Sequence, residues 1–122
     1  MSARVAVAED NDDLRVLLEL LIDNEPGLEC VGSTNELHEV IPLVQAETAD
    51  VLVLDVELRG KSSMQALDSI HADCPNVKII FYTGHAHPEF AQRARAGGAS
   101  ALVLKSGDTQ ELLDAIHSAV GG

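Results

Sequence analysis

Apolar residues recur along the 122-residue chain in two alternating patterns. Short apolar runs that do not alternate with polar residues, such as V-L-V-L before Asp55, are typical of strands covered on both faces of a parallel sheet. Between the runs, apolar residues lie three and four positions apart, which is the spacing of one face of a helix. The short runs predict five strands, at Arg4–Ala8, Leu28–Gly32, Val51–Leu54, Val77–Tyr82 and Ser100–Leu104.

Capping and turn residues delimit five predicted helices between and after these strands. Asn11 or Asp12 can cap the first helix, and Pro26-Gly27 ends it. Pro42 lies inside the second helical segment, where it removes a backbone donor and is expected to kink the helix. The apolar spacing places the helices around Leu14–Leu21, Leu37–Val44, Met64–Cys74, Pro88–Ala96 and Leu112–Val120.

The strict alternation of strands and helices predicts the fold class. Such a chain forms an α/β domain, in which a doubly wound five-stranded parallel sheet carries helices on both faces. With five units the expected strand order is 2-1-3-4-5, the flavodoxin-like arrangement, although another order remains an alternative. We expect residues 1–122 to form one domain.

Composition and charge narrow the classes of function. The hydrophobic fraction is 46%, but no apolar run approaches the roughly 20 residues of a membrane span, so we expect a cytoplasmic protein. The net charge of −12 argues against direct nucleic-acid binding and fits basic partners or a cation. Cys30 and Cys74 are too few for a disulfide framework, and each is interpreted as a buried thiol.

Four predicted strands end in chemically active residues. Glu9 and Asp10 follow the first strand, Asp55 the third, Thr83 the fourth and Lys105 the fifth. A lone aspartate after an apolar run more often just begins a loop. Parallel strands, however, bring their carboxyl ends to one edge of the sheet, where α/β proteins bind ligands. We therefore expect these five side chains to lie together.

This set of side chains predicts phosphate chemistry with a metal ion. Three adjacent carboxylates require a cation, and oxygen ligands without His or Cys favour Mg²⁺. A carboxylate can attack phosphorus to form an aspartyl-phosphate. Lys105 and Mg²⁺ would then neutralise the phosphoryl group, and the Thr83 hydroxyl would donate a hydrogen bond to it.

Taken together, four motifs resemble the receiver domain of two-component response regulators, the CheY-like domains. They are A-E-D near the start, V-L-V-L-D-V-E-L-R-G, F-Y-T-G, and G-A-S-A-L-V-L-K-S, and the resemblance covers essentially the whole chain. It implies that Asp55 accepts a phosphoryl group from a sensor histidine kinase or a phosphotransfer protein. It further implies that Asp10 and Asp55 hold Mg²⁺ by their side chains, Glu57 by its backbone carbonyl and Glu9 through a water. Lys105 would pair with the phosphoryl group, and Thr83 would be the switch hydroxyl.

The chain departs from the family's usual pattern in three places. Leu58-Arg59-Gly60 stands where Met-Pro and then a glycine are usual, and Ser106 follows the lysine in place of proline. Leu102 stands where a Tyr or Phe usually turns inward. We therefore expect the signal to leave through the loop Thr83–Pro88 and the start of the fourth helix. Its recipient would be an output domain or a downstream protein. A homodimer through the face formed by the fourth helix, the fifth strand and the fifth helix is a further expectation.

A different class of function stays open beside the signalling role. A small Mg²⁺-dependent phosphohydrolase would also use Asp55 as its nucleophile, and Asp55-Val56-Glu57 faintly resembles the spaced carboxylates of such enzymes. The chain lacks a cap domain for that reaction. Flavin or nucleotide binding is disfavoured, because no glycine-rich phosphate-binding loop follows the first strand. In the loop after Thr83, His85 is a weaker candidate for contact with the phosphoryl donor.

Overall fold

A five-stranded parallel sheet forms the centre of the protein. The structure is a computed structural model that describes residues 2–84, 87–106 and 108–121. Neighbouring strands pair in parallel in the order β2-β1-β3-β4-β5, which confirms the predicted fold class and order. The strands are β1 (Ala3–Ala8), β2 (Leu28–Thr34), β3 (Val51–Asp55), β4 (Lys78–Thr83) and β5 (Ala101–Leu104).

The helices follow the strands as the apolar spacing predicts. Asn11 caps the first of them, since its side chain accepts a hydrogen bond from the Leu14 amide at 2.9 Å. Among the described residues, no helix is both long and apolar enough to cross a membrane. The helices are α1 (Asp12–Asp23), α2 (Val40–Glu47), α3 (Leu67–Asp73), α4 (Pro88–Ala96) and α5 (Thr109–Gly121).

Two predicted helices begin differently from the expectation. Each opens as a 3-10 turn, Leu37–Glu39 before α2 and Met64–Ala66 before α3. Pro42 is the third residue of α2, within the first turn. A first-turn residue has no intrahelical partner for its backbone N–H, so a proline there costs α2 no hydrogen bond. The predicted segment is therefore divided before Val40 rather than interrupted at the proline.

Two apolar layers cover the faces of the sheet. All five residues of β3 are buried, as expected for a strand with helices on both sides. Alternate strand residues contribute to the two layers: Leu52, Leu54 and Phe81 pack on the side of α2, α3 and α4, whereas Val53 and Ile80 pack on the side of α1 and α5. The doubly wound arrangement thus holds the carboxyl edge of the sheet between two packed layers.

A short antiparallel hairpin projects beyond the carboxyl end of β3. Glu57–Leu58 pairs with Lys61–Ser62, and Arg59-Gly60 forms the connection. The φ angles of Arg59 and Gly60 are +50° and +81°, the positive values that tight two-residue hairpin turns require. The Leu58 side chain is fully buried, so the hairpin is tied to the core at its base. The sequence did not predict this hairpin.

Adjacent leucines on α1 offer a test of the packing. Leu18 is 1% exposed, whereas Leu17 is 51% exposed. We expect Leu18→Ala to lower the free energy of unfolding by about 2–5 kcal/mol, because it leaves a cavity in the layer between the sheet and α1. Leu17→Ala should change it by less than about 1 kcal/mol. Urea unfolding of both variants checks this, and equal losses would contradict the described orientation of α1.

Candidate functional site

Three carboxylates meet at the carboxyl edge of the sheet. Asp55 ends β3 and is 7% exposed, Glu9 follows β1 and is 1% exposed, and Asp10 is exposed at the rim. One oxygen from each carboxylate lies within 4.8 Å of the other two. Burying charged carboxylates so close together is unfavourable unless a cation accompanies them.

Lys105 enters this cluster from the end of β5. Its Nζ lies 2.8 Å from Glu9 Oε1 and 3.0 Å from Asp55 Oδ2, so a single ammonium bridges residues that follow β1 and end β3. The Lys105 backbone N–H donates to the Thr83 carbonyl at 2.7 Å, which continues the pairing of β4 with β5 and sets where the side chain begins. The Lys105 ammonium alone cannot balance three carboxylates.

The pKa values of the two most enclosed groups reflect this crowding. Burial raises the pKa of the Glu9 carboxyl, although the contacts with the Lys105 ammonium and the Asn11 amide oppose the rise. Burial alone would lower the pKa of Lys105, but its contacts with the Glu9 and Asp55 carboxylates outweigh that effect and raise it. Lys105 therefore stays protonated at neutral pH, whereas ionisation of Glu9 carries a cost in the folded state.

Backbone and hydroxyl contacts fix the position of Asp55. Its Oδ1 accepts a hydrogen bond from the Glu57 amide at 3.3 Å, and its backbone carbonyl accepts one from the Ser63 hydroxyl. Ser63 is fully buried, and its own amide donates to the Val56 carbonyl at 2.9 Å. Sequence reasoning missed Ser63, because a serine in the polar stretch K-S-S carries no pattern that separates a buried hydroxyl from an exposed one.

The hairpin reaches Asp10 through the backbone of Arg59. The Arg59 N–H donates to Asp10 Oδ2 at 3.2 Å, and its Nη1 lies 3.2 Å from Glu36 Oε1 on the connection between β2 and α2. A proline at this position, as is usual in the resembled family, has no N–H and cannot adopt a positive φ. Arg59 in place of the usual proline therefore allows a backbone hydrogen bond to Asp10 that a proline could not form.

The remaining predicted residues lie around this cluster. Thr83 is buried at the end of β4, and the Glu57 side chain is exposed at the base of the hairpin beside Asp55. Leu102 is half-buried on β5, pairs in register with Phe81 and packs against the layer that includes α4. His85 lies outside the described residues. The structure thus brings Glu9, Asp10, Asp55 and Lys105 together, with Thr83 on the neighbouring strand end.

The ligand chemistry of the cluster suits a hard cation. All of the candidate ligand atoms are carboxylate oxygens, which Mg²⁺ prefers. Glu9 Oε2 accepts a hydrogen bond from the Asn11 amide at 3.0 Å. Its Oε1 forms an ion pair with Lys105 Nζ at 2.8 Å but is buried without a hydrogen-bond partner among the described residues. Asp10 is exposed and Asp55 lies next to it, so these two carboxylates fit direct contact with an ion better than Glu9 does.

Comparison with known proteins identifies the family. The family model described as the response regulator receiver domain matches residues 5–117. The chain belongs to the response regulator receiver family. Phosphorylation of an aspartate and binding of Mg²⁺ at an acidic pocket are standard for this family. The predicted family and signalling role are confirmed, and the comparisons give no support for the phosphohydrolase alternative.

Individual relatives agree with this assignment. The chain is 30% identical over 118 residues to the transcriptional regulatory protein DesR of Bacillus subtilis, covering 97% of this receiver and 58% of DesR. It is 26% identical to the nitrate/nitrite response regulator protein NarL of Escherichia coli, covering 98% of this receiver and 56% of NarL. The chain therefore spans little more than half the length of these relatives.

A solved structure matches over nearly the whole fold. It is a two-component response regulator of the LuxR family from Aurantimonas, with a TM-score of 0.91 and 30% sequence identity. The match covers 99% of this chain and 87% of that one.

The raised pKa of Glu9 predicts a pH dependence of stability. The folded protein holds the Glu9 proton more tightly than the unfolded chain, whose ordinary pKa is 4.5. Glu9 therefore favours folding below that value, and this contribution is lost as the pH rises through the higher folded pKa. In the absence of divalent cations, the stability of Glu9→Gln relative to the parent should thus increase from about pH 5 to about pH 8. Urea unfolding at several pH values measures this difference, and a constant or shrinking difference would contradict the prediction.

Proposed function

We propose that Asp55 of this receiver domain accepts a phosphoryl group from the phosphohistidine of a sensor histidine kinase or a phosphotransfer protein. The observation that carries the proposal is the position of the Asp55 carboxylate, at the sheet edge and 3.0 Å from the Lys105 ammonium within the acidic cluster. The proposed receiver unit is residues 1–122, acting in the cytoplasm. We assign two reactions to this unit: transfer of the phosphoryl group onto Asp55, and later hydrolysis of the aspartyl-phosphate.

Each side chain of the site has a separate proposed role in phosphoryl transfer. An oxygen of Asp55 forms a bond to phosphorus while the N–P bond of the phosphohistidine breaks. The electron pair of the broken bond stays on the imidazole nitrogen. Lys105, already beside Asp55 Oδ2, donates to an oxygen of the transferred group. The Thr83 hydroxyl, at the end of the adjacent strand, is the proposed second donor.

Mg²⁺ is the proposed cofactor of the transfer. Asp10 and Asp55 would hold it by their carboxylates and Glu57 by its backbone carbonyl, with Glu9 acting through a bound water. When bound, the ion supplies positive charge that offsets the charge of the phosphoryl oxygens. The burial of the Glu9 carboxylate and its contacts with Lys105 and the Asn11 amide support the indirect role for Glu9.

We place the outgoing signal at the start of α4. Leu102 cannot supply a turning aromatic ring, and it packs as an aliphatic residue against the layer that includes α4. The proposed moving parts are the loop Thr83–Pro88, whose residues 85 and 86 lie outside the described ranges, and the helix near Phe90 and Arg93.

The proposed recipient of the signal is an output domain or a downstream protein, a proposal supported by the transcriptional role in the name of DesR. Pairing of two copies through α4, β5 and α5 is also proposed.

Removal of the Asp55 nucleophile tests the acceptor assignment. Asp55→Asn should abolish phosphoryl uptake from acetyl phosphate and Mg²⁺, because an amide is not a competent nucleophile. Intact-mass spectrometry should show one phosphoryl adduct on the parent and none on the variant. Asp13→Asn is the matched control, since Asp13 is an exposed carboxylate in the first turn of α1 and the charge change is the same.

Two outcomes would count against the proposal. Uptake that survives in Asp55→Asn would move the acceptor to another residue. Rapid multiple turnover of a phosphoester by the parent, without a lasting adduct, would favour a hydrolytic enzyme over a receiver.

Stability against Mg²⁺ concentration tests the cofactor. A cation among Glu9, Asp10 and Asp55 relieves their mutual repulsion, so Mg²⁺ should raise the free energy of unfolding. At a free concentration about 100 times the dissociation constant the gain is about 2.7 kcal/mol. Asp10→Asn should stabilise the metal-free protein by about 1 kcal/mol and reduce the Mg²⁺ effect. A melting temperature that responds equally to Mg²⁺ and to sodium chloride of the same ionic strength would contradict this site.

A further inference from the structure

The turn of the hairpin at residues 57–62 places an arginine in an unfavourable backbone conformation. Arg59 has a φ of +50°, in the left-handed region where a side chain is disfavoured, while the neighbouring Gly60 tolerates its φ of +81°. Arg59 is exposed, so apolar packing does not hold its side chain in place. Other contacts must stabilise the turn in this conformation.

Those contacts come from two sides of the site. The Arg59 guanidinium pairs with Glu36 Oε1 at 3.2 Å. Glu36 is itself held, because its amide donates to the Thr34 hydroxyl oxygen at 3.1 Å, and Thr34 is buried at the end of β2. On the other side, the buried Leu58 fixes the base of the hairpin. The side chain of Arg59 therefore joins the hairpin to the connection between β2 and α2.

The backbone of the same residue contacts the acidic cluster. The Arg59 N–H donates to Asp10 Oδ2 at 3.2 Å, and Asp10 is the exposed member of the three clustered carboxylates. An exposed aspartate otherwise samples several rotamers, and ordering it costs conformational entropy. A donor on one of its oxygens reduces that cost for any ion that needs the carboxylate in place.

We propose that Arg59 is a positioning residue for the metal site. Its ion pair with Glu36 holds the hairpin so that the Arg59 amide keeps the Asp10 carboxylate oriented beside Asp55 for Mg²⁺. Arg59 does not touch the ion in this arrangement; it acts through Asp10. The inference rests on the proposed function, because it concerns the affinity of that same site for Mg²⁺.

Two physical effects of removing Arg59 have opposite signs, which makes the proposal testable. A cationic side chain near the site repels Mg²⁺, so by Coulomb interaction alone Arg59→Ala should bind the ion more tightly. Loss of positioning should weaken binding by a few-fold, because Arg59→Ala keeps the backbone donor to Asp10 and removes only the largely exposed ion pair that holds the hairpin. A role confined to the stability of the fold would leave the affinity of the folded protein unchanged.

The experiment is a titration of the folded protein with Mg²⁺ at constant ionic strength, followed by the amide signals of Asp10 and Asp55 in NMR spectra. We expect Arg59→Ala to raise the dissociation constant about twofold to fivefold. Lys61→Ala is the matched control, because Lys61 belongs to the same hairpin, is exposed and forms no ion pair with the described residues. It should change the constant by less than about twofold, in the direction of tighter binding.

Further variants separate the ion pair from other effects. Arg59→Lys retains a cation opposite Glu36 and should restore most of the affinity. Glu36→Gln should weaken binding, and combining it with Arg59→Ala should add little, because both remove the same interaction. Amide dispersion and urea unfolding establish that each variant is folded; if Arg59→Ala is not, Glu36→Gln carries the test.

Failure of this inference differs from failure of the proposed function. If the parent binds Mg²⁺ at Asp10 and Asp55 but Arg59→Ala binds it equally or more tightly, Arg59 is not a positioning residue and the receiver site stands. If the parent itself shows no Mg²⁺-dependent shifts at Asp10 and Asp55, both proposals are overturned.

Discussion

The contact of one ammonium with two carboxylates is the constraint on which this site depends. Lys105 lies 2.8 Å from Glu9 and 3.0 Å from Asp55, and it follows β5, two strands away from β3. Without this cation, two largely buried carboxylates would face each other with no compensation. The geometry is possible only if the strands are parallel and in register, because only then do the residues after β1, β3 and β5 reach the same edge.

The two apolar layers supply the rigidity that this geometry needs. Leu54 and Phe81 are fully buried on one face of the sheet, and Val53 and Ile80 are buried on the other. Strands packed on both faces cannot slide by one residue without turning apolar side chains away from their layer. The positions of Asp55 and Lys105 therefore depend on apolar residues that take no part in the ion pairs of the site. Charged residues at the rim, such as Asp10, lack this support and need local contacts instead.

The sequence predicted the parts of this site that follow from periodicity. The apolar runs indicated the strands, and the polar residues after them predicted that Glu9, Asp10, Asp55, Thr83 and Lys105 lie at one edge of the sheet. These residues lie at that edge because the end of a buried parallel strand can emerge only at the edge of the sheet. The same reasoning placed all five strands, with errors of one or two residues at their ends.

What the sequence could not predict depends on irregular backbone. The hairpin at residues 57–62 has strands of two residues each, too short for any periodicity, and an arginine rather than a glycine at its first turn position. Ser63 contacts a backbone carbonyl that no side-chain pattern reveals. The pairing of Arg59 with Glu36 joins two loops whose relative position only the folded sheet defines. These contacts surround the acidic cluster, where the backbone is irregular and apolar periodicity does not predict its conformation.

Lys105 also offers a physical route from the chemistry of Asp55 to the flank of the sheet. Its side chain is shared between Glu9 and Asp55, while its backbone amide binds the carbonyl of Thr83. Under the proposed function, phosphorylation moves negative charge from the Asp55 carboxylate onto phosphoryl oxygens, and the ammonium must redistribute its contacts between that group and Glu9.

A ligand shifts a conformational equilibrium only by the difference between its interactions with the two states. Here that difference is limited by how strongly Glu9 retains Lys105. Movement of Lys105 would act on the paired ends of β4 and β5, where Leu102 packs in register with the buried Phe81. Under the same proposal, the aliphatic side chain of Leu102 would transmit this displacement through its packing against the layer of α4, without a change of rotamer.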